Sequence, residues 1–203
     1  MILYIDNNVN IEDYPQTEKW LSNFKDKLSK RREALKGTIK WCGLQWPRIK
    51  SELDLKEKII VQNTRNESLK VRICATIDDF GVYGSQGVNF IIPKTSNTNM
   101  FCLLGILNSK LINYLFATKF LNLAIKAEYL KQMHIPNNKN YENQIAILAK
   151  VISNSKLSDA TANISAQEQE IDRLVYKLYG LTYNEVKIVD PETPITEEEY
   201  NKK

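Results

Sequence analysis

The run Gln62-Asn63-Thr64-Arg65-Asn66 gathers within a few residues the side-chain types that read the edges of base pairs directly. Arginine presents two parallel donors that match guanine, and asparagine and glutamine present the donor and acceptor that match adenine. Each good pair contributes on the order of 1–3 kcal/mol of discrimination. A second polar segment, Tyr83-Gly-Ser85-Gln86, follows an intervening apolar run and carries the same kind of groups. Lys30, Arg31, Arg32, Lys36, Lys40 and Arg48 are cations suited to gripping phosphates without regard to sequence. The same residue types also furnish polar turns on a sheet edge and solvated helix faces, and composition does not separate the two.

Groups for covalent chemistry are harder to find. The one histidine, His134, precedes Ile135-Pro136 in a segment that reads as buried and extended, which suits a packed or surface imidazole better than a general base. There is no Gly-x-Ser-x-Gly, no phosphate loop ending in lysine and no paired-carboxylate motif. Gly81, Gly84 and Gly87 are wrongly spaced for a dinucleotide loop and precede a strand, so they read as a turn. Asp78-Asp79 and Glu197-Glu198-Glu199 lack the spacing of a metal nuclease. Cys42, Cys74 and Cys102 show no C-x-x-C spacing and are expected to be small buried residues. No catalytic, metal-binding or cofactor-binding residue is therefore expected in this chain.

Charge is distributed unevenly along the 203 residues, whose net value is +4. Residues 19–50 carry ten Lys or Arg against Asp26 and Glu33, whereas residues 161–203 carry nine acidic and five basic side chains. The first half is the half expected to meet a polyanion, with an affinity that falls as salt rises. At 43% hydrophobic the chain is long enough to bury a core as one domain. No run approaches a membrane span. Met1-Ile-Leu-Tyr-Ile-Asp-Asn lacks the features of a signal peptide, so the expected location is the cytoplasm.

Several elements must position these groups. Pro15 suits the first turn of a helix, and Trp20, Leu21, Phe24, Leu28 and Leu35 recur at helical intervals, predicting one basic helix with a buried aromatic stripe that ends at Gly37. Segments 58–62, 71–77 and 87–93 are β-branched and read as neighbouring strands. Helical spacing returns from Asn99 to Phe120, interrupted at Asn108-Ser109, where two helices or one bent helix fit equally well. Residues 128–136 read as extended. Further helices include Ile145, Leu148 and Ile152, a helix capped by Ser165 through Glu168 and stopped at Gly180, and a short one capped by Thr182 through Glu185. The predicted fold class is α+β, a small mixed or antiparallel sheet flanked by N-terminal and C-terminal helices. Its expected divisions are a basic helix and junction over 13–50, a sheet-containing recognition core over 56–136 and C-terminal helices over 140–190. These form a single domain over 1–190, with a flexible acidic tail over 191–203.

Four motifs occur in one order: Arg31-Arg32 with Trp41-Cys-Gly-Leu-Gln-Trp46-Pro-Arg48, Leu107-Asn-Ser-Lys110, Tyr129-Leu-Lys-Gln-Met-His-Ile-Pro136, and Glu170-Ile-Asp-Arg-Leu-Val-Tyr-Lys-Leu-Tyr-Gly-Leu-Thr182. In that order the chain resembles the TaqI-like C-terminal specificity domain of adenine-N6 DNA methyltransferases and type II restriction-modification enzymes. The resemblance implies a target-recognition domain that binds double-stranded DNA for an upstream methyltransferase domain or subunit. It implies S-adenosylmethionine in the parent enzyme, and magnesium where a nuclease is fused. The family's Asn-Pro-Pro-Tyr motif is absent here, so the chain itself is expected to transfer no methyl group. The stretch from Leu53 to Val88 is the least family-like and is where specificity is expected to sit. A module that docks a separate catalytic subunit, without DNA specificity of its own, remains the alternative, with an RNA-binding domain third.

Overall fold

A computed structural model of the chain describes residues 3–64, 71–120 and 124–202. It divides into two compact units, Met1–Asp54 and Leu55–Lys203. Among the described residues the fold is α+β, with eleven α-helices and a three-stranded antiparallel sheet.

In the first unit a 3-10 turn, Ile11–Asp13, leads into α1 (Pro15–Ser22), α2 (Lys25–Ser29), α3 (Arg32–Leu35) and α4 (Lys50–Leu53). Its small core is Ile5, Ile11, Leu21 and Cys42, with Val9, Leu28 and Trp41 half-buried against it. The single basic helix expected over this region is instead three short ones. Asn23 turns both its backbone and side-chain N–H to the Trp20 carbonyl, which competes with helical pairing and ends α1. Arg31 has extended backbone, ψ 140°, between α2 and α3. With the helix broken, the expected stripe no longer shares a face: Leu21 is buried, whereas Trp20, Phe24 and Leu35 are exposed. Trp20 and Phe24 pack edge to face on each other at 5.3 Å. Gly37 does take the left-handed conformation, φ 71°.

The second unit begins with β1 (Lys58–Gln62), β2 (Ala75–Asp78) and β3 (Val88–Ile91), ordered β2-β1-β3 with both pairings antiparallel. Helices follow: α5 (Met100–Asn108), α6 (Lys110–Lys119), α7 (Ala127–Leu130), α8 (Lys139–Ser158), α9 (Ser165–Leu178), α10 (Tyr183–Val189) and α11 (Glu197–Asn201). Alternate residues Ile59 and Val61 of the central strand are fully buried, and join Leu104, Leu107, Phe116, Ile145, Leu174 and Tyr176 in one core. α5 and α8 approach closely at Gly105, where a Cβ would lie 2.6 Å from Ile145 Cγ2.

The interruption at Asn108-Ser109 is a break between two helices, bent by 62°. Ser109 caps α6 by accepting from the Ile112 amide and donates to the Ile106 carbonyl. Asn108 turns its side-chain amide to the backbone of Ala75, accepting from its N–H at 2.9 Å and donating to its carbonyl at 3.0 Å, as a neighbouring strand would. Asn113 accepts from the amides of Arg72 and Ile73. β2 starts at Ala75 and not at 71, and the amides of Arg72 and Ile73 before it are bound by a helix side chain.

Other expectations need correction. Residues 127–130 are helical, and His134 is exposed, its carbonyl accepting from the Tyr179 hydroxyl at 2.7 Å. Cys74 is exposed, while Cys42 and Cys102 are buried. Ser165 is the first residue of α9 and not its cap; Asn163 accepts from the Ser165 amide instead. Thr182 and Glu185 do form a reciprocal cap on α10, and Gly180 is left-handed at φ 69°. The segment over 191–203 is no loose tail in its described part. Thr196 and Glu199 cap α11 reciprocally, and Tyr200 is buried with its hydroxyl donating to the Leu181 carbonyl at 2.7 Å. No single helix among the described residues is long and apolar enough to cross a membrane.

Lys110 joins α6 to α9. Its amide donates to the buried Asp172 at 2.8 Å and its ammonium meets Asp190 at 2.6 Å. Burial pushes the Asp172 carboxyl from 3.8 up to about 7, against the pull of Lys110. The folded chain thus holds this proton more tightly than the unfolded one. The resulting stability is complete below the unfolded pKa near 4 and is lost as pH rises through 7. Asp172→Asn keeps an acceptor for the Lys110 amide and removes the titration. Its melting temperature should match the parent's at pH 4 and exceed it at pH 8 by the equivalent of roughly 1–3 kcal/mol. Equal pH slopes in the two proteins would refute this.

Candidate nucleic-acid interface

One end of the sheet brings two polar segments together. Gln62 ends β1 opposite Val88, with its side chain exposed. The next residue, Asn63, donates its backbone N–H to the Gly87 carbonyl at 2.9 Å and its side-chain amide to the Gln86 carbonyl at 3.0 Å. Its own carbonyl accepts from Ile125, and Asn89 donates to the Asn63 side chain and the Ile125 carbonyl. Asn63 is thus half-buried and engaged in holding the 79–87 loop, while Ser85 and Gln86 are exposed on that loop and Tyr83 is half-buried. Arg65 and Asn66 lie outside the described residues.

The other end of the loop is fixed from below. Asp78 closes β2 and stands in register with Lys58, the first residue of β1. Their side chains form an ion pair at 2.6 Å with 0% of Lys58 and 2% of Asp78 exposed. Asp78 also accepts from the amides of Phe80 at 2.9 Å and Val82 at 2.7 Å, the first turn of the loop. Burial alone would raise this carboxyl, but Lys58 and the two amides hold it below the usual carboxylate range. Gly81 supplies the left-handed turn, φ 77°. At Gly84 a Cβ would lie 2.5 Å from Val88 Cγ2 and 2.8 Å from Phe90 Cζ, so the loop is pressed onto β3. Neither Lys58 nor Asp78 stands out as a site residue in the sequence. The available signal is opposite charge at the ends of two β-branched runs that an antiparallel register places face to face.

The cations expected at phosphates all belong to the first unit, and they differ in what they touch. Lys30 and Lys36 are exposed. Arg32 is exposed and paired with Glu33 at 2.8 Å, and Lys40 is exposed with its ammonium on the Val9 carbonyl at 2.7 Å. Arg48 is half-buried, its carbonyl accepting from the Tyr4 hydroxyl. Arg31 is different: its guanidinium donates to the carbonyls of Leu28, Trp41 and Gly43 at 2.8–2.9 Å. It ties the broken basic helix to the tryptophan segment, and most of its donors face protein. Trp41 is half-buried with Lys25 over its ring at 5.2 Å, whereas Trp46 is exposed.

Residues 7–136 match the family model of the TaqI-like C-terminal specificity domain. A protein of Methanocaldococcus jannaschii named as a type II restriction enzyme and methyltransferase is 33% identical over 135 residues, covering 61% of this chain and 11% of that protein. The matched chain therefore spans about a tenth of that relative's length.

Proposed function

Because the chain belongs to the TaqI-like C-terminal specificity domain family, we propose that it reads the sequence of double-stranded DNA for a restriction-modification or phage-defence enzyme. The catalytic centre then lies in an upstream domain or subunit that methylates adenine N6 with S-adenosylmethionine, in the cytoplasm, with magnesium required where a nuclease is fused. The chain itself holds the duplex while the extruded base enters the catalytic domain. The observation that carries this reading is the clamped loop at the sheet end: Asn63 and Asp78 fix it from both sides and leave Ser85 and Gln86 exposed beside Gln62. Base readout needs such pre-set polar groups, because a mobile amide discriminates poorly. Gln62, Tyr83, Ser85, Gln86, Arg65 and Asn66 are the candidate base contacts. Lys30, Arg32, Lys36, Lys40 and Arg48 are the candidate phosphate contacts.

Selection from a pool of random duplexes, followed by titration at several salt concentrations, tests this. Lys36→Ala should weaken binding to all sequences alike and flatten the slope of log affinity against log salt by about one. Gln86→Ala should instead relax the preference at one position of the selected site. A chain that enriches no sequence is not a reader. The competing role, docking a separate catalytic subunit, is favoured by exposed Ile147 and Val151 one turn apart on α8. It predicts a tight complex with that subunit and no duplex affinity in the isolated chain.

A further inference from the structure

We propose that Lys58 and Asp78 are positioning residues for base reading, a buried ion pair that sets the conformation of the 79–87 loop and thereby which base pair that loop accepts. The inference rests on the DNA-reading role proposed above.

Both oxygens of Asp78 are committed: Oδ1 to the Phe80 amide, and Oδ2 to the Val82 amide and the Lys58 ammonium. Lys58 also donates to the Leu55 carbonyl at 2.8 Å and stands 5.6 Å from the Phe90 ring centroid, beneath the same loop. Well-packed apolar residues fill such a space as stably as an ion pair does or better. What apolar residues cannot supply is an acceptor for two loop amides. The carboxylate provides it, the ammonium keeps the carboxylate ionised without water, and Gly81 and Gly84 allow the chain to turn and lie on β3. At its far end the loop is closed by Asn63 on Gln86. A polar side chain on a loop anchored at both ends meets a base edge in one orientation, so releasing one anchor should blur discrimination and leave phosphate attraction intact.

The test uses duplexes selected by the 203-residue chain from a random pool, compared with the same duplexes carrying one substituted base pair. Asp78→Asn loses the charge and one amide acceptor. The double variant Lys58→Met with Asp78→Leu leaves no buried charge at this site and carries the test if the single variant does not fold. Discrimination should fall about 10- to 100-fold in the folded variants, with affinity for non-specific duplex within about threefold of the parent. Amide exchange at Phe80 and Val82 should speed up, a readout that needs no DNA. A cooperatively folded variant with fast exchange there and undiminished discrimination overturns the inference while leaving the reading role in place. A parent chain that selects no sequence removes the reading role and the inference together.

Discussion

Asn113→Ala should lower the stability of the 55–203 unit by roughly 3–5 kcal/mol, an effect of core-cavity size from a polar side chain. Asn113 is 8% exposed on α6, and its Oδ1 accepts from the Arg72 amide at 2.8 Å and the Ile73 amide at 2.7 Å. Its Nδ2 donates to the Ser109 carbonyl at 3.0 Å. Truncation orphans two amides of buried residues at about 1–3 kcal/mol each and leaves a small void besides. Asn108→Ala makes a useful comparison. Asn108 accepts from the Ala75 amide and donates to its carbonyl, but it is exposed, so water can replace it and the cost should stay at about 1 kcal/mol. Urea unfolding of both variants decides the matter: similar midpoints would mean that the Arg72 and Ile73 amides find water when Asn113 is gone.

Legibility in the sequence followed how local the determining physics is. The three strands, the break at Asn108-Ser109, the Thr182 cap and the left-handed Gly180 were readable because β-branched runs, a hydroxyl at a helix start and a glycine at a helix end act within a few residues. The helix over 15–35 was not, because its periodicity is real but Asn23 and Arg31 end it through hydrogen bonds to Trp20, Leu28, Trp41 and Gly43 that spacing does not reveal. The acidic end hid its order for a similar reason: a run of glutamates reads as solvated, yet Thr196 and Glu199 cap one another and Tyr200 supplies the buried anchor. At the candidate interface, residue type pointed to both polar segments but not to their division of labour. Asn63 carries a base-reading amide by type, and it is engaged in clamping Gln86. Arg31 carries a phosphate-gripping guanidinium by type and directs it at three carbonyls. Both roles depend on which backbone groups the fold brings near, a property of tertiary contacts.

Lys58→Met alone should be among the most damaging single changes to the sheet, about 3–5 kcal/mol, because it leaves Asp78 buried and ionised without its partner. The double change with Asp78→Leu should recover much of that loss, since no charge then remains buried at this site. The sign of the pH dependence separates this account from simple misfit of the methionine. In the parent the Asp78 carboxyl lies below its unfolded pKa, so the stability it contributes is present above about pH 4 and is lost as pH falls through the folded value. Without Lys58 the desolvation of Asp78 is unopposed by a cation and its pKa rises above the unfolded one. Its contribution then reverses: the single variant should grow more stable relative to the parent as pH drops from 7 toward 4, and the gap between them should narrow. A gap of constant size across that range would trace the cost to packing around residue 58, and the electrostatic foundation assigned to the 79–87 loop would lose its support.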